Sequence, residues 1–278
     1  GAVSSRSLEL LLRRFTLHTR RLSSFDQLPI PFRAAATDME SGAAVLLDKG
    51  DLAAALRASM SVPGVFSPLE WEGRILGDGG LVNNLPVDVA RALGADVVIA
   101  VNIGTPLGSR ESLNTVVGVT VQMINILTEQ NVQRSIQSLT PRDLLLSPHL
   151  GNLSAGSFDE GEALVELGRR YGESVQASLA RFAVDAPTYA AWQAQRQQVH
   201  QALMAELPDA LAFVRIDGVP PAQSARLQRQ LDVKPGDPLA PDRVEEDLRR
   251  LVAVDDYVRL DYRLEPAPGS GGEGLVYQ

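Results

Sequence analysis

The chain has 278 residues, 45% of them apolar and 22% charged, so its composition is globular and its length favours two domains. The formal net charge of −8 argues against a nucleic acid partner, and the absence of Cys excludes disulfides and thiolate metal sites. No apolar run approaches the roughly 20 residues that a membrane-spanning helix needs. The chain begins with Gly1 and shows no signal-peptide pattern, which favours a fragment or a processed product.

The first two thirds of the chain are predicted to mix helices with short strands. Apolar residues at helical spacing and capping residues predict helices over residues 7–22, 51–60, 113–139 and 160–182, and Pro86 is predicted to open one more helix. Short apolar or alternating segments predict strands over residues 32–36, 43–47, 71–76, 97–101 and 144–146. The continuous apolar run at 97–101 is typical of a parallel strand buried on both faces. We therefore predict an α/β fold in which helices sandwich a sheet.

The last third has a different pattern. Residues 185–208, rich in Ala and Gln, are predicted to form a helical connector that ends at Pro208. Beyond it the pattern predicts strands and helices in the order β-α-α-β-β, with strands at residues 212–219, 258–264 and 275–277 and helices at 221–231 and 242–251. The predicted organisation is an α/β domain at residues 1–184, a connector at 185–208 and a small α+β domain at 209–278. The small domain is expected to be truncated at its C-terminal end.

The sharpest local motif is Asp78-Gly79-Gly80, which follows a predicted strand. A carboxylate at a strand end, followed by two glycines, has nothing bulky to shield it from an incoming group. The functional interpretation is a catalytic base. The same three residues also fit a tight turn whose Asp accepts backbone N–H bonds.

Several further blocks stand in a fixed order around this motif. They are Thr37-Asp38-Met39, Ser59-Met60-Ser61-Val62-Pro63-Gly64, Asn83-Asn84-Leu85-Pro86 and Gly94-Ala95-Asp96. Together with Asp78-Gly79-Gly80 they resemble the C-terminal half of the patatin-like phospholipase family. The resemblance is dense over residues 25–105 and looser as far as Phe182. It implies a patatin-like helix-sheet-helix sandwich, incomplete at its N-terminus, and a lipid acyl hydrolase in which Asp78 is the base of a Ser-Asp dyad.

The chain departs from that family at the nucleophile. Patatin-like enzymes place the Ser in a GxSxG elbow, after a glycine-rich oxyanion loop and before the Asp motif. The string 151–156 has one residue too many between its first Gly and Ser154, and Ser59 and Ser61 lack the flanking glycines and are expected to be structural. The resemblance thus places the nucleophile upstream of Gly1, and the chain alone is expected to be inactive.

A Ser-Asp dyad needs no His, and the three histidines are not required for it. His18 and His200 lie on predicted helices and are expected to be surface or satisfied residues, while His149, in a loop, stays open as a conventional triad base. No residue spacing suits zinc, calcium or a nucleotide, so no cofactor is implied.

Two features bear on the substrate, a phospholipid or another lipid ester. The helix at 113–139 is apolar on more than one face and could line an acyl-chain pocket or simply cover a sheet. Arginines at positions 13, 14, 20 and 21 could contact anionic headgroups at a membrane surface or form a solvated helix face.

The small domain resembles a POTRA domain, on the element order and the phrase Lys234-Pro235-Gly236-Asp237 between its helices. The order patatin-like domain, connector, POTRA resembles bacterial outer-membrane phospholipases and implies a C-terminal barrel after Gln278 and a location at the outer membrane, the cell surface or outside the cell. Two alternatives stay open. One is a non-catalytic binding or assembly module whose POTRA domain recruits β-strands, and the other is an intracellular patatin-like enzyme with an unrelated tail.

Overall fold

The computed structural model describes residues 5–104, 107–108, 110–151, 153, 157–254, 261–269 and 271–278. The described strands are β1 (Ala34–Asp38), β2 (Ala44–Leu47), β3 (Leu69–Trp71), β4 (Arg74–Asp78), β5 (Ile99–Val101), β6 (Leu144–Leu146), β7 (Val214–Ile216), β8 (Tyr262–Pro266) and β9 (Glu273–Tyr277). The described α-helices are α1 (Ser5–Thr16), α2 (Leu52–Ser59), α3 (Gly80–Asn83), α4 (Val87–Ala92), α5 (Val116–Gln137), α6 (Gly161–Ser174), α7 (Gln176–Leu179), α8 (Ala186–Ala205), α9 (Pro221–Gln228) and α10 (Pro241–Val254).

The chain forms two compact units. The first unit comprises Gly1–Phe32, Asp48–Arg57 and Gln193–Gln278, and the second comprises Arg33–Leu47 and Ala58–Trp192. This division groups α1 with the C-terminal third of the chain, whereas the sequence pattern placed residues 1–184 in one domain.

The second unit contains a four-stranded antiparallel sheet in the order β2-β1-β4-β3. The predicted strand pair around the turn at residues 40–42 is confirmed as β1 and β2. Ala36, in the middle of β1, lies opposite Val45 on one side and Asp78 on the other. The last residue of β4 is therefore held on an interior strand of the sheet, next to β1.

The single strand predicted at residues 71–76 is wrong in its extent. The structure has a hairpin of β3 and β4 whose two turn residues, Glu72 and Gly73, have φ values of 48° and 77°. Two consecutive positive φ angles are typical of the tight turns whose twist matches a β-hairpin. The apolar residues on either side of this turn made the two strands look like one.

The apolar run at residues 97–101 forms a parallel pair, as predicted, because β5 pairs with β6 in parallel register. The expectation that this strand is buried on both faces is wrong. Val98 and Ala100 are buried in a core cluster with Val132 of α5, whereas Ile99 and Val101 are 44% and 53% exposed. Only one face of this pair is packed within the described part of the second unit.

The long helix predicted at residues 113–139 is confirmed as α5, preceded by a 3-10 turn at Arg110–Asn114. The single helix predicted at 160–182 is divided into α6, α7 and a 3-10 turn at Ala180–Phe182. The division occurs at Val175, a β-branched residue whose φ and ψ of −103° and 8° depart from helical values. No helix in the described residues combines the length and the apolarity needed to cross a membrane.

The first unit contains a three-stranded sheet in the order β7-β9-β8, in which β9 is parallel to β7 and antiparallel to β8. The predicted order β-α-α-β-β is seen in β7, α9, α10, β8 and β9, although part of the predicted strand at 258–264 lies outside the described residues. The core of this unit is apolar and includes Leu17, Leu227, Leu248, Tyr262 and Tyr277. Leu17 lies in the 3-10 turn that follows α1, and Leu10 of α1 packs against the same cluster, so the small sheet and the N-terminal segment share one core.

Candidate active site

Asp78 ends the interior strand β4, and three hydrogen bonds fix the backbone around it. Its N–H donates to the carbonyl of Ser61 over 3.1 Å, and the N–H of Gly79 donates to the carbonyl of Ser59 over 3.2 Å. The hydroxyl of Thr37 on β1 donates to the carbonyl of Asp78 over 2.7 Å. The chain direction at the motif is therefore set by the end of α2, by the residues just after it and by the neighbouring strand.

Both glycines of the motif stand at close approaches, to backbone at Gly79 and to side chains at Gly80. A Cβ at Gly79 would lie 2.2 Å from the carbonyl oxygen of Ala35, which belongs to the backbone of β1. A Cβ at Gly80 would lie 2.8 Å from the Asp78 carboxylate and 2.7 Å from Oδ1 of Asn84. The small residues thus allow the carboxylate to lie over the start of the single-turn helix α3.

The Asp78 carboxylate is partly buried and accepts a hydrogen bond of 2.7 Å from the N–H of Gly80. Burial raises the pKa of Asp78 above its ordinary value, and the Gly80 N–H opposes this by favouring the charged form. No cationic side chain among the described residues pairs with this carboxylate. The tight-turn interpretation is thus seen directly, and the carboxylate is also left with a raised pKa and without a counter-ion.

A buried amide that sequence reasoning missed lies beside the motif. Asn131 on α5 is 4% exposed and accepts a hydrogen bond of 2.8 Å from the N–H of Asn84. Its Nδ2 donates to the carbonyls of Gly80 over 2.9 Å and of Leu127 over 3.2 Å. The available signal was its spacing, since Thr128, Asn131 and Val132 form the buried stripe of α5 at intervals of three and four.

The other candidate nucleophiles and bases have simpler surroundings. Ser59 and Ser61 meet the motif through their backbone carbonyls, which suits the structural role expected for them. The Nδ1 of His149 accepts a hydrogen bond of 3.1 Å from the N–H of Gly151. Ser154, in the string 151–156, lies outside the described residues. His18 and His200 contact each other edge to face, with ring centroids 5.6 Å apart.

The four arginines considered for lipid headgroups all have carboxylate partners within the first unit. These pairs are Arg13 with Asp51 and Asp261, Arg14 with Asp242 and Glu245, and Arg20 and Arg21 with Glu273. The expectation of a solvated helix face fits Arg14 and Arg21, which are 37% and 51% exposed. It does not fit Arg13 and Arg20, which are 17% and 13% exposed and pair with the mostly buried carboxylates of Asp261 and Glu273.

The apolar residues of α5 considered for an acyl-chain pocket are mostly exposed. Val116, Val117 and Met123 are 85%, 73% and 60% exposed, and only the C-terminal half of the helix contributes to the core with Val132. Within the described residues, His, Asp and Glu side chains form no group of three that could hold a metal ion.

The part of the chain that contains this site is similar in sequence to known proteins. Residues 4–91 match the model of the patatin-like phospholipase family, and Asp78, Gly79 and Gly80 lie inside the match. The chain is 45% identical over 80 residues to an uncharacterized NTE family protein of Mycobacterium bovis. It is 44% identical over 82 residues to mouse patatin-like phospholipase domain-containing protein 7, and 39% identical over 82 residues to human patatin-like phospholipase domain-containing protein 6.

These similarities are confined to one part of each protein. The aligned stretch covers 29% of this chain, 22% of the mycobacterial protein and 6% of each mammalian protein. The chain therefore combines a patatin-like phospholipase segment at residues 4–91 with about two thirds of its length outside that match.

Proposed function

We propose that this chain is part of a lipid acyl hydrolase of the phospholipase A type in which Asp78 is the general base of a Ser-Asp dyad. The observation that supports this most directly is the state of the Asp78 carboxylate. It ends an interior strand, it is partly buried, its pKa is raised, and the described residues give it no cationic partner. The match of residues 4–91 to the patatin-like phospholipase model supports a lipid ester as the substrate.

In the proposed reaction, a Ser hydroxyl attacks the carbonyl carbon of the ester as Asp78 takes the hydroxyl proton. The tetrahedral oxyanion collapses with release of the alcohol, which receives the proton from Asp78, and water then hydrolyses the acyl-enzyme in the same way. A carboxyl with the reference pKa of about 3.9 is a weak base at pH 7. Burial of Asp78 acts in the direction that this chemistry needs.

The nucleophile in this proposal comes from a GxSxG segment upstream of Gly1. Exposed apolar side chains in the second unit support the idea that further polypeptide packs there. Ile99, Val101 and Ile103 are 44%, 53% and 53% exposed, so one face of this parallel strand and of the residues just after it is apolar and uncovered among the described residues. An intact GxSxG in the parent protein would favour the enzyme over a binding module.

The test is turnover of a fluorogenic phospholipid by the full-length protein carrying Asp78→Asn. We expect kcat to fall by roughly a hundredfold or more, because proton transfer by a positioned base contributes on that order. Asp88→Asn is the matched control, since Asp88 is exposed and bonds to the neighbouring Asn83. Full activity of the Asp78→Asn protein, with an unchanged melting curve, would remove Asp78 from the mechanism.

We also propose that residues 209–278 act as a POTRA-like domain next to an outer-membrane barrel. Supporting this, β7, α9, α10, β8 and β9 follow the expected order, and β7 and β8 lie at the two edges of their sheet. Fractionation of cells that express the full-length protein, with protease added outside, tests the location. Recovery of the protein only in the cytosol would contradict this proposal and favour the alternative of an intracellular patatin-like enzyme with an unrelated tail.

The alternative is a non-catalytic assembly module that recruits β-strands through an open sheet edge. The feature that favours it is the position of β8 at the edge of its sheet, where the described residues pair it with β9 alone. Full-length protein that binds extended peptides but shows no esterase activity, and whose parent sequence has no GxSxG, would support this alternative.

A further inference from the structure

The Asp78 carboxylate depends on one peptide group, the N–H of Gly80, and Gly80 is a residue with little intrinsic rigidity. A Cβ at this position would lie 2.8 Å from the Asp78 carboxylate and 2.7 Å from Oδ1 of Asn84, so a larger residue would push one of these side chains aside. Glycine, however, has the largest choice of φ and ψ of any residue. The Gly80 N–H shares a planar peptide group with the Gly79 carbonyl, which accepts hydrogen bonds from the N–H groups of Val82 and Asn83 within α3. The direction of the Gly80 N–H therefore follows the position of this single turn, which further contacts fix at Gly80 and Asn84.

Those contacts come from α5. The carbonyl of Gly80 and the N–H of Asn84 stand in the i and i+4 relation that an α-helical hydrogen bond joins. The carboxamide of Asn131 bonds to both groups, with Nδ2 donating to Gly80 and Oδ1 accepting from Asn84. One side chain thus stands where the next helical hydrogen bond of α3 would be, and it holds both ends of this single turn.

The amide itself is well fixed. Asn131 is 4% exposed, and its Nδ2 also donates to the carbonyl of Leu127, one turn earlier on α5. Its neighbour Val132 is 2% exposed and belongs to the core cluster with Val98 and Ala100. The packed half of α5 therefore gives Asn131 a rigid base.

We propose that Asn131 is a positioning residue that acts through Gly80, holding the Gly80 N–H on the Asp78 carboxylate and so setting the direction of that carboxylate. Asn131 bonds to backbone groups and does not touch the reacting atoms. The inference rests on the proposed function for its meaning in catalysis, but the link from Asn131 to Asp78 exists in the chain itself and can be measured without any activity.

The expected sign follows from the two influences on Asp78. Burial raises its pKa and the Gly80 N–H lowers it, and no charged side chain among the described residues contributes to the shift. When Gly80 is released, the N–H bond weakens and burial acts with less opposition. Loss of the Asn131 carboxamide should therefore move the pKa of Asp78 further upward.

The measurement is a carbon-13 NMR titration of the Asp side-chain carboxyls in the 278-residue chain, with the Asp78 signal assigned from Asp78→Asn. Asn131→Leu keeps the approximate volume of the side chain and removes all its hydrogen bonds, and Asn131→Ala is the second variant should the first not fold. We expect the Asp78 titration midpoint to rise in both. An unchanged midpoint in a folded variant would overturn the proposal.

Val132→Ala is the matched control for general loosening. It removes packing from the same buried stretch of α5 and leaves the amide in place, so we expect lower stability with the Asp78 midpoint unchanged. An equal rise of the midpoint in Val132→Ala would mean that any loosening of α5 has this effect, and the specific role of Asn131 would fall.

Activity of the full-length protein provides the second readout. We expect Asn131→Leu to lower kcat by roughly tenfold to a hundredfold with little change in KM, and to move the acidic limb of the kcat pH profile upward, since misplacement of a reacting group costs factors of this size. If Asp78→Asn is fully active, the proposed function fails, while the NMR titration still decides whether Asn131 governs Asp78.

Discussion

The two glycines after Asp78 serve different steric needs. Gly79 lies against the backbone of β1, where the nearest atom to a Cβ would be the carbonyl oxygen of Ala35, and a backbone atom cannot move aside as a side chain can. Gly80 instead leaves room for the Asp78 carboxylate and for Asn84. At the residue scale, Gly79 therefore fixes the fit of the motif to the sheet and Gly80 fixes the fit of the carboxylate to α3.

Gly79→Ala should destabilise the second unit by at least about 2 kcal/mol, because the added methyl forces β1 and β4 apart. Urea unfolding followed by tryptophan fluorescence measures this, since both tryptophans, Trp71 and Trp192, lie in the second unit. The control is Gly168→Ala, within the exposed helix α6, where nothing lies within 4 Å of an added Cβ. It should gain up to about 1 kcal/mol from better helix propensity. Equal effects of the two substitutions would contradict the steric account.

At the scale of elements, one carboxylate joins three segments of the second unit. Asp143 has a fully buried side chain, and it accepts hydrogen bonds from the N–H of Val98, just before β5, and from the N–H and hydroxyl of Thr140. Arg91 on α4 forms an ion pair with it. The Thr140 N–H and these other donors hold the pKa of Asp143 well below its usual range.

This depressed pKa predicts a pH dependence. The charged carboxylate stabilises the fold fully above the unfolded-state pKa of about 3.9, and that contribution is lost as the pH falls from there toward the lower folded-state pKa. Asp143→Asn places an amide NH₂ against existing donors and should lower the urea midpoint clearly at pH 7. The difference in urea midpoint between Asp143→Asn and the unmodified protein should become smaller below about pH 4. Asp96→Asn, at an exposed position in the same region, should leave the urea midpoint unchanged at both pH values.

Element order and type were largely predictable, because short apolar segments and turn residues encode them locally. The pairing of residues 97–101 as a parallel strand followed from their continuous apolar character and is confirmed. Their burial was not predictable, since it depends on what packs against each face. The β3-β4 hairpin was missed because only three residues, Glu72, Gly73 and Arg74, separate the apolar residues Trp71 and Ile75.

In the candidate site too, the residue marked by a local motif was predictable and the contact between distant residues was not. Asp78 was singled out from its motif and its catalytic role stays a prediction, whereas the contact of Asn131 with Gly80 links positions 51 residues apart. A contact of that kind depends on how α5 crosses the fold. A single sequence reveals the buried stripe of the helix, but not the partner that the stripe meets.

At the scale of the whole molecule, the first unit is assembled from three separate stretches of chain. Leu17 is 5% exposed and packs in one cluster with residues of the β7-β9-β8 sheet and its helices, among them Leu248 and Tyr277. The small C-terminal sheet thus includes an N-terminal side chain in its core, and sequence pattern alone did not indicate this because the two stretches are separated by more than 150 residues.

Leu17→Ala should therefore destabilise the C-terminal sheet by about 3 kcal/mol, the usual cost of a large-to-small change in a core. Hydrogen exchange at the amides of β9 is the measurement, and we expect faster exchange there. Leu11→Ala, on the preceding helix α1 but 47% exposed, should cost less than about 0.5 kcal/mol. Protection of β9 that is insensitive to Leu17→Ala would show that residues 209–278 fold without the N-terminal segment.

The reach of Asn131 has a practical consequence for recombining related sequences. The family match ends at residue 91, and a crossover placed there would look natural, yet it would leave Gly80 on one parent and its amide partner on the other. A chimera joined between residues 91 and 131 inherits the acidic motif without the helix that steadies it. Exchanges should move residues 78–131 as a single block.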